Sequence, residues 1–204
     1  MSDAAKPPVE FYFDFSSPYA YFASLRIDDV AKLYDRSVVW KPIMLGVVFK
    51  TTGATPLLDQ PLKGEYAKRD LARTARLLGV DFRLPSSFPF AAIAPSRLFY
   101  WLAQDDAARA RAYAKAVFST AFQEAVAVNS PDAAADVAAK LGIDRGAALA
   151  ACQDPEIKEK LRLANEEAVT AGVCGAPYFI VEGEPFWGND RLDHLERWLA
   201  TGGW

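Results

Sequence analysis

The sequence predicts an α/β protein in which a small β-sheet is interrupted by a long all-helical segment. Strand-like patterns, rich in aromatic and β-branched residues, occur near both ends of the 204-residue chain. Between them, from about Leu45 to Gly172, alanine and leucine dominate and helical periodicity recurs. We therefore expect the two β-rich ends to pair with each other across the helical segment.

The first β-rich end predicts a strand, a helix and a second strand. Apolar and more polar residues alternate over residues 9–15, which is the period of a half-buried strand. Pro18 suits the first turn of a helix with Ser17 as its N-cap, and the apolar spacing extends that helix to about Tyr34. Residues 38–43 are again β-rich, so this end predicts a parallel βαβ unit.

The middle segment predicts helices separated by proline and glycine. Their expected bounds are Tyr66–Leu78, Pro95–Ala103, Ala107–Glu124, Pro131–Leu141, Arg145–Cys152 and Pro155–Ala171. We divide the chain accordingly into a discontinuous sheet-containing domain, residues 1–44 with 173–204, and a helical insertion, residues 45–172.

The last segment returns to β structure. Residues 178–181 are strand-like, Gly183 suits a hairpin turn, and residues 185–187 make a short partner strand. Asn189 or Asp190 is then expected to cap a final helix over residues 191–200.

Two short segments predict that the sheet-containing domain is thioredoxin-like. Ser16-Ser17-Pro18 stands where a buried strand becomes a helix. Gly175-Ala176-Pro177 precedes another buried strand and carries a proline of the kind that can be cis. A thioredoxin-type fold brings two such segments together, and a redox enzyme would have Cys-x-x-Cys at the first. This chain has Ser-Pro there, so no residue pair can cycle between dithiol and disulfide.

Ser17 is the leading candidate for chemistry, and two interpretations of it stay open. A hydroxyl at a helix N-terminus can donate to an anion, and the helix dipole adds positive potential. A thiolate bound there would have its pKa lowered. Alternatively, Ser17 only caps the helix, which is the commoner role of a serine before proline.

Two further sites each have a functional and a structural interpretation. The segment Trp187-Gly188-Asn189-Asp190 offers N–H donors to a carboxylate and a carboxylate to an ammonium group, as a γ-glutamyl group requires. A tight turn followed by a helix cap explains it equally well. Lys50 is a lone cation in a mostly apolar stretch, and an ordinary surface lysine is its alternative.

Composition excludes several other classes of function. The net charge is −3 without a run of Lys or Arg, so neither nucleic acid nor an anionic membrane is expected as a partner. The polar segment Met1–Pro8 does not resemble a signal peptide, and no apolar run would span a bilayer, so a cytoplasmic protein is expected. With His194 as the only histidine, we expect neither a Ser-His-Asp triad nor a metal site. Cys152 and Cys174 are too few for a disulfide framework, and Cys174 is expected to be a small buried residue.

Taken together, four segments resemble the 2-hydroxychromene-2-carboxylate isomerase family, within the DsbA-like and kappa-class glutathione transferase group. The resemblance runs nearly from end to end of the chain. The segments are residues 11–19, the pattern Tyr66…Asp70-Leu71…Arg73…Ala75…Leu78-Gly79, residues 175–177, and residues 187–192.

The resemblance implies a thioredoxin-like fold with a helical insertion, a homodimer, and glutathione as a bound cofactor. Ser17 would hydrogen-bond the glutathione sulfur, Ala176 with a cis Pro177 would pair with the cysteinyl part, and Lys50 would meet the carboxylate of a small aromatic acid substrate. The γ-glutamyl end would be held by Trp187, Gly188, Asn189 and Asp190.

The implied reaction interconverts 2-hydroxychromene-2-carboxylate and trans-o-hydroxybenzylidenepyruvate, a step in the degradation of aromatic hydrocarbons. Two alternatives remain open at this point. One is a kappa-class-like glutathione transferase that conjugates an electrophile. The other is a thioredoxin-fold binding protein without catalytic activity.

Overall fold

The computed structural model describes residues 6–204 and contains a four-stranded mixed β-sheet. Its strands are β1 (Val9–Phe13), β2 (Val38–Pro42), β3 (Tyr178–Val181) and β4 (Glu184–Trp187), in the order β2-β1-β3-β4. Strand β1 is parallel to β2 and antiparallel to β3, and β3 is antiparallel to β4. The predicted pairing of the two β-rich ends is therefore confirmed. The first five residues of the polar N-terminal segment lie outside the described residues.

The helices follow the predicted order and largely occupy the middle of the chain. Between β1 and β2 lie α1 (Pro18–Ser24) and α2 (Ile27–Lys32), and α10 (Leu192–Thr201) follows β4. Between β2 and β3 lie α3 (Leu45–Thr52), α4 (Lys63–Leu78), α5 (Ile93–Leu102), α6 (Ala107–Phe122), α7 (Pro131–Lys140), α8 (Arg145–Gln153) and α9 (Pro155–Thr170). The six helices predicted for this segment correspond to α4–α9. The division into residues 1–44 with 173–204 and residues 45–172 stays a prediction.

Both faces of the central strand β1 are buried. Phe11 and Phe13 face the larger apolar core, where Phe11 stacks on Phe179 with ring centroids 5.3 Å apart and meets Trp40 edge-on at 5.0 Å. Tyr12 points to the opposite face and joins a second core with residues of α3 and α9. Alternate side chains of β1 thus fix the register of the sheet and the position of its carboxyl end.

The larger core continues without interruption from the sheet into the helical segment. Phe13 and Phe15 both contact Phe118 of α6, with centroid distances of 5.5 and 5.2 Å. Phe13 also meets Phe99 of α5 edge-on at 5.9 Å. The helical segment therefore packs around the carboxyl end of β1, which is where the Ser16-Ser17-Pro18 turn begins.

The single helix predicted from Pro18 to about Tyr34 is wrong, because the chain bends between α1 and α2. The backbone N–H of Leu25 bonds the carbonyl of Phe22, and that of Arg26 bonds Ala23, so the helical turn tightens before it ends. The hydroxyl of Ser24 donates to the carbonyl of Tyr21 at 2.6 Å and competes for a helical acceptor. Nothing in the residue types marks this bend as a proline or glycine would.

Helix α3 was not among the predicted elements. It begins at Leu45 and ends before Gly53, whose φ of 72° lets the chain turn in the left-handed conformation. Its β-branched residues Val47 and Val48 have low helix propensity, so local composition conceals the helix. Lys50 consequently lies on a helix and not in an irregular stretch.

Candidate active site

The structure gives the Ser17 hydroxyl two partners. Its Oγ accepts a hydrogen bond from the backbone N–H of Ala20 at 3.2 Å and donates one to the carbonyl oxygen of Ala176 at 3.0 Å. The first contact caps α1, which confirms the capping interpretation. The second contact joins residues 159 positions apart, so the Ser-Pro and Ala-Pro motifs lie side by side as predicted.

The same geometry limits what Ser17 can do for a bound anion. A hydroxyl has one proton to donate, and in this arrangement Ala176 receives it. Donation to a sulfur atom requires rotation of the hydroxyl away from that carbonyl. Helix α1 has only seven residues and begins with Pro18, which has no N–H, so its dipole is weaker than the long predicted helix would supply.

The loop before β3 connects the Ser17 turn to the segment after β4. The Ala176–Pro177 peptide bond is cis, as the resemblance implied. The carbonyl of Pro177 accepts a hydrogen bond from the backbone N–H of Gly188 at 3.0 Å. Three segments that are distant in sequence, around Ser17, Pro177 and Gly188, are therefore brought together.

The exposed side chain of Trp187 lies beside this loop. Its side chain is 59% exposed, and its indole ring packs directly over Gly175. A Cβ atom on Gly175 would lie 2.4 Å from the indole Nε1, closer than nonbonded atoms can approach. Glycine at position 175 is therefore required for the observed position of the indole.

We expect Gly175→Ala to displace the Trp187 indole without unfolding the protein. Overpacking costs about 1–3 kcal/mol in well-packed cores, and we expect a smaller loss here because the exposed indole can swing away. The shift of the indole N–H signal of Trp187 in a ¹H–¹⁵N spectrum measures the displacement. Gly146→Ala, a helical glycine in α8, is the control and should leave that signal in place.

Asn189 and Asp190 do not cap the final helix, contrary to prediction. Gly188, at φ 117°, leads into a 3₁₀ turn over Asn189–Arg191, and α10 starts only at Leu192 without a side-chain cap. The carboxylate of Asp190 pairs with Arg191 at 2.9 Å and is exposed. The turn packs against α1, and within it Asn189 Oδ1 is buried while the Asp190 side chain is exposed.

The Oδ1 atom of Asn189 is buried and has no hydrogen-bond partner among the described residues. An unsatisfied buried carbonyl of this kind costs about 1–3 kcal/mol, so a water molecule or a ligand group is needed to satisfy it. An amide N–H or an ammonium group would satisfy it. This fits a peptide-like ligand with N–H donors, and the neighbouring residue Gly188 is bonded to Pro177.

Lys50 is the one predicted site residue that the structure does not join to the others. It is exposed on α3 and makes no hydrogen bond to the Ser17 or Ala176 segments within residues 6–204. Its helix, however, begins beside the Ser17 turn, because the backbone N–H of Leu45 donates to Asp14 Oδ2 at 2.7 Å.

Asp14 is a residue whose importance the sequence did not reveal. It is 2% exposed, and its Oδ1 accepts hydrogen bonds from both the backbone N–H and the hydroxyl of Ser16, each at 2.8 Å. Burial raises the pKa of this carboxyl, while the N–H groups of Leu45 and Ser16 oppose the rise. Its position between Phe13 and Phe15 in a buried strand end was the only signal in the sequence.

A second network ties α4 to α1 close to Ser17. The hydroxyl of Tyr19 donates to Asp70 Oδ2 at 2.8 Å, and the guanidinium of Arg73 contacts Asp70 Oδ1 at 2.5 Å and the hydroxyl of Tyr66 at 3.2 Å. Burial and the hydrogen bond to Asp70 raise the pKa of Tyr19. This network accounts for the spacing of the Tyr66, Asp70 and Arg73 pattern.

Other candidate chemistries find little support in the described part of the chain. Residues 6–204 contain no group of three or more His, Cys, Asp or Glu side chains placed to hold a metal ion. His194 is exposed, and Cys152 is fully buried. Cys174 packs against the second core as a small apolar residue, but it is only partly buried. None of the described helices has the length and apolar character needed to cross a membrane.

Comparison with known proteins agrees with this geometry. A family model described as a DSBA-like thioredoxin domain matches residues 8–200. A 2-hydroxychromene-2-carboxylate isomerase of Pseudomonas putida is 32% identical over 190 residues, which is 92% of each chain. The kappa 2 glutathione S-transferase of Caenorhabditis elegans is 27% identical and covers 94% of this chain and 91% of its own.

A solved structure of a 2-hydroxychromene-2-carboxylate isomerase superposes with a TM-score of 0.85 at 32% identity, covering 95% of this chain and 94% of its own. The match includes both the sheet and the helical segment, since it runs over nearly the whole chain. The chain therefore belongs to the 2-hydroxychromene-2-carboxylate isomerase family, within the DsbA-like thioredoxin proteins.

Proposed function

We propose that this protein is a glutathione-dependent isomerase that interconverts 2-hydroxychromene-2-carboxylate and trans-o-hydroxybenzylidenepyruvate, or a close aromatic analogue. The observation that carries the proposal is the contact between the Ser17 hydroxyl and Ala176, at the position where a disulfide enzyme would have its cysteines. The isomerase relatives, 28–32% identical over most of the chain, supply the reaction class.

The residues present fit glutathione at three points. The buried Oδ1 of Asn189 can accept from an N–H or ammonium group of the γ-glutamyl end, and Asp190 can pair with its ammonium. Ala176, before the cis Pro177, offers its backbone to the cysteinyl part. Ser17 lies beside Ala176 and can donate its hydroxyl proton to sulfur once the hydroxyl rotates away from the Ala176 carbonyl.

When bound, glutathione supplies a thiolate that can add reversibly to a conjugated carbon of the substrate. Ser17 favours the charged form of the thiol because its hydroxyl can donate to it. Lys50, in the last turn of the neighbouring helix α3, offers a cation to the substrate carboxylate. The protein needs no redox partner for this role, because the reaction is an isomerisation and its residues bind, orient and stabilise charge.

A kappa-class transferase activity is the second candidate, favoured by the relative from C. elegans. It would use Ser17 in the same way and would differ in releasing a conjugate. A cation at Lys50, on the helix that begins beside the Ser17 turn, would favour an acidic substrate and therefore the isomerase.

The deciding experiment is a spectrophotometric assay on 2-hydroxychromene-2-carboxylate with glutathione, without it, and with S-methylglutathione, whose sulfur is blocked. We expect isomerisation only with free glutathione, and glutathione recovered unchanged. Consumption of glutathione with formation of a conjugate would replace the isomerase by a transferase. Activity that ignores glutathione would refute the proposed mechanism. A protein that binds glutathione stably but catalyses neither isomerisation nor conjugation would be a binding protein without catalytic activity.

We expect Lys50→Met to raise the KM for the acid about tenfold, as loss of one charge-assisted contact does, and to leave glutathione binding unchanged. Initial rates at varied acid concentration, with glutathione saturating, measure the effect. Lys63→Met, which removes a cation at the first residue of α4, is a charge-matched comparison. An unchanged KM for Lys50→Met would remove Lys50 from the substrate site.

A further inference from the structure

Asp14 joins two parts of the site that lie far apart along the chain. It follows β1, and one of its carboxylate oxygens holds Ser16 while the other holds Leu45. Ser16 directly precedes Ser17, and Leu45 is the first residue of α3, which carries Lys50. With 2% of its surface exposed, Asp14 cannot itself reach a ligand.

Helix α3 depends on such tertiary contacts for its start. The first N–H groups of a helix have no partner within the helix, and the residue at the N-cap position, Met44, provides no side-chain cap. The N–H of Leu45 is taken by Asp14 at 2.7 Å, and that of Met44 by Asn165 Oδ1, also at 2.7 Å. Asn165 belongs to α9, so Asp14 is the anchor on the Ser17 side.

We propose that Asp14 is a positioning residue that fixes the start of α3, and with it Lys50, relative to the Ser16-Ser17 turn. The proposal rests on the function proposed above, in which Ser17 faces the thiol and Lys50 faces the substrate carboxylate. One substrate must reach both groups, so the link through Asp14 sets the distance that an acid substrate has to span.

Asp14→Asn is the sharpest test because the amide has the same shape and only one acceptor oxygen. When the amide oxygen points at Ser16, both hydrogen bonds to Ser16 are kept. The NH₂ group, which is itself a donor, then faces the N–H of Leu45 and cannot accept from it. The variant should therefore release α3 and leave the Ser17 turn in place. Loss of the negative charge of Asp14 also favours the ionised form of a nearby thiol. A fall in activity would therefore not be explained by a loss of thiolate.

We expect Asp14→Asn to raise the KM for the acid about tenfold, the size of one lost hydrogen bond to a charged group, with glutathione affinity within about twofold of wild type. Amide hydrogen exchange should become faster at Leu45 and along α3 but not at Ser16. Asp106→Ala, which removes the N-cap of the distant helix α6, is the control: it lowers stability and should leave KM unchanged.

A double-mutant cycle with Lys50→Met separates positioning from a general structural effect. If Asp14 acts through Lys50, the double variant should have nearly the same KM as the single variant with the higher KM. Additive effects on KM, or unchanged exchange in α3 of Asp14→Asn, would overturn the proposal. If Asp14→Asn does not fold, Leu45→Pro removes the N–H that Asp14 accepts from, at a first helical position where proline is tolerated. It should give the same rise in KM, and an unchanged KM would refute the proposal.

Failure of the proposal can be told apart from failure of the proposed function. A wild-type protein that does not isomerise the acid would refute the function, while the hydrogen-exchange result would still decide whether Asp14 fixes α3. An active wild type combined with an unchanged KM in Asp14→Asn would refute the positioning role alone.

Discussion

Replacing Ser17 with alanine is expected to slow isomerisation by about 10- to 100-fold at neutral pH, because a hydrogen bond to a charged group contributes about 1.5–3 kcal/mol. The hydroxyl is the polar group placed beside Ala176, and without it the pKa of the bound thiol should rise. Less thiolate is then present at neutral pH, so the ultraviolet absorbance of the thiolate should fall together with the rate.

The same substitution also removes the cap of α1. Loss of a serine N-cap costs about 0.5–2 kcal/mol of stability, and the contact with Ala176 is lost as well. Urea unfolding should therefore show a moderately less stable but folded protein. Rates have to be measured well below the denaturation midpoint, so that the loss of activity is not a loss of folded protein.

Ser16→Ala is the matched control for this experiment. Ser16 is the neighbouring serine, but its hydroxyl donates to Asp14 and not to Ala176. We expect its thiolate absorbance and isomerase rate to stay close to those of the wild type. Equal rates and equal thiolate absorbance in wild type and Ser17→Ala would refute the assigned role of Ser17.

Replacing Asn189 with alanine is expected to abolish most of the stabilisation that glutathione gives, without destabilising the free protein. The buried Oδ1 has no partner among the described residues, so the free protein loses no hydrogen bond when it is removed. A bound N–H donor would lose its acceptor, which corresponds to about 1–3 kcal/mol and an affinity reduced by about 5- to 100-fold.

Thermal unfolding at increasing glutathione concentration measures both the stability of the free protein and its affinity for glutathione, since a ligand raises Tm according to its affinity. Asn129→Ala, at an exposed asparagine between α6 and α7, should bind glutathione as the wild type does. A Tm shift for Asn189→Ala equal to that of the wild type would show that the γ-glutamyl group binds elsewhere.

The sheet and most helices could be predicted because their signals are local. Alternation over residues 9–15 gives the strand directly, and proline or glycine marks an end of α4, α7 and α9. The N-cap role of Ser17 also follows from its neighbour Pro18. The bend after Ser24 and the helix α3 could not be predicted, because the first depends on tightened backbone bonds and the second on capture of its first N–H groups by distant residues.

The residues of the candidate site could be predicted from the sequence better than their arrangement in space. The motifs around Ser17, Pro177 and Gly188 could be named from the sequence, and the structure brings them together. The expected cap by Asn189 or Asp190 was wrong, because a 3₁₀ turn intervenes before α10. Two of the three side-chain contacts of Asp14 are local, to Ser16, but its contact with Leu45 is tertiary, so no local pattern could reveal the link to α3.

The pairing of β1 with β3 has a consequence for the order of folding. It joins Glu10 to Ile180 and Tyr12 to Tyr178, so closing the sheet costs the entropy of a very long loop unless the intervening chain is already compact. Helices α5–α9 pack on one another and can form first, which shortens the effective loop. We therefore expect pulsed hydrogen exchange to protect α6 before β3, and glutathione, whose proposed site spans both ends of the chain, to bind only the last species on the pathway.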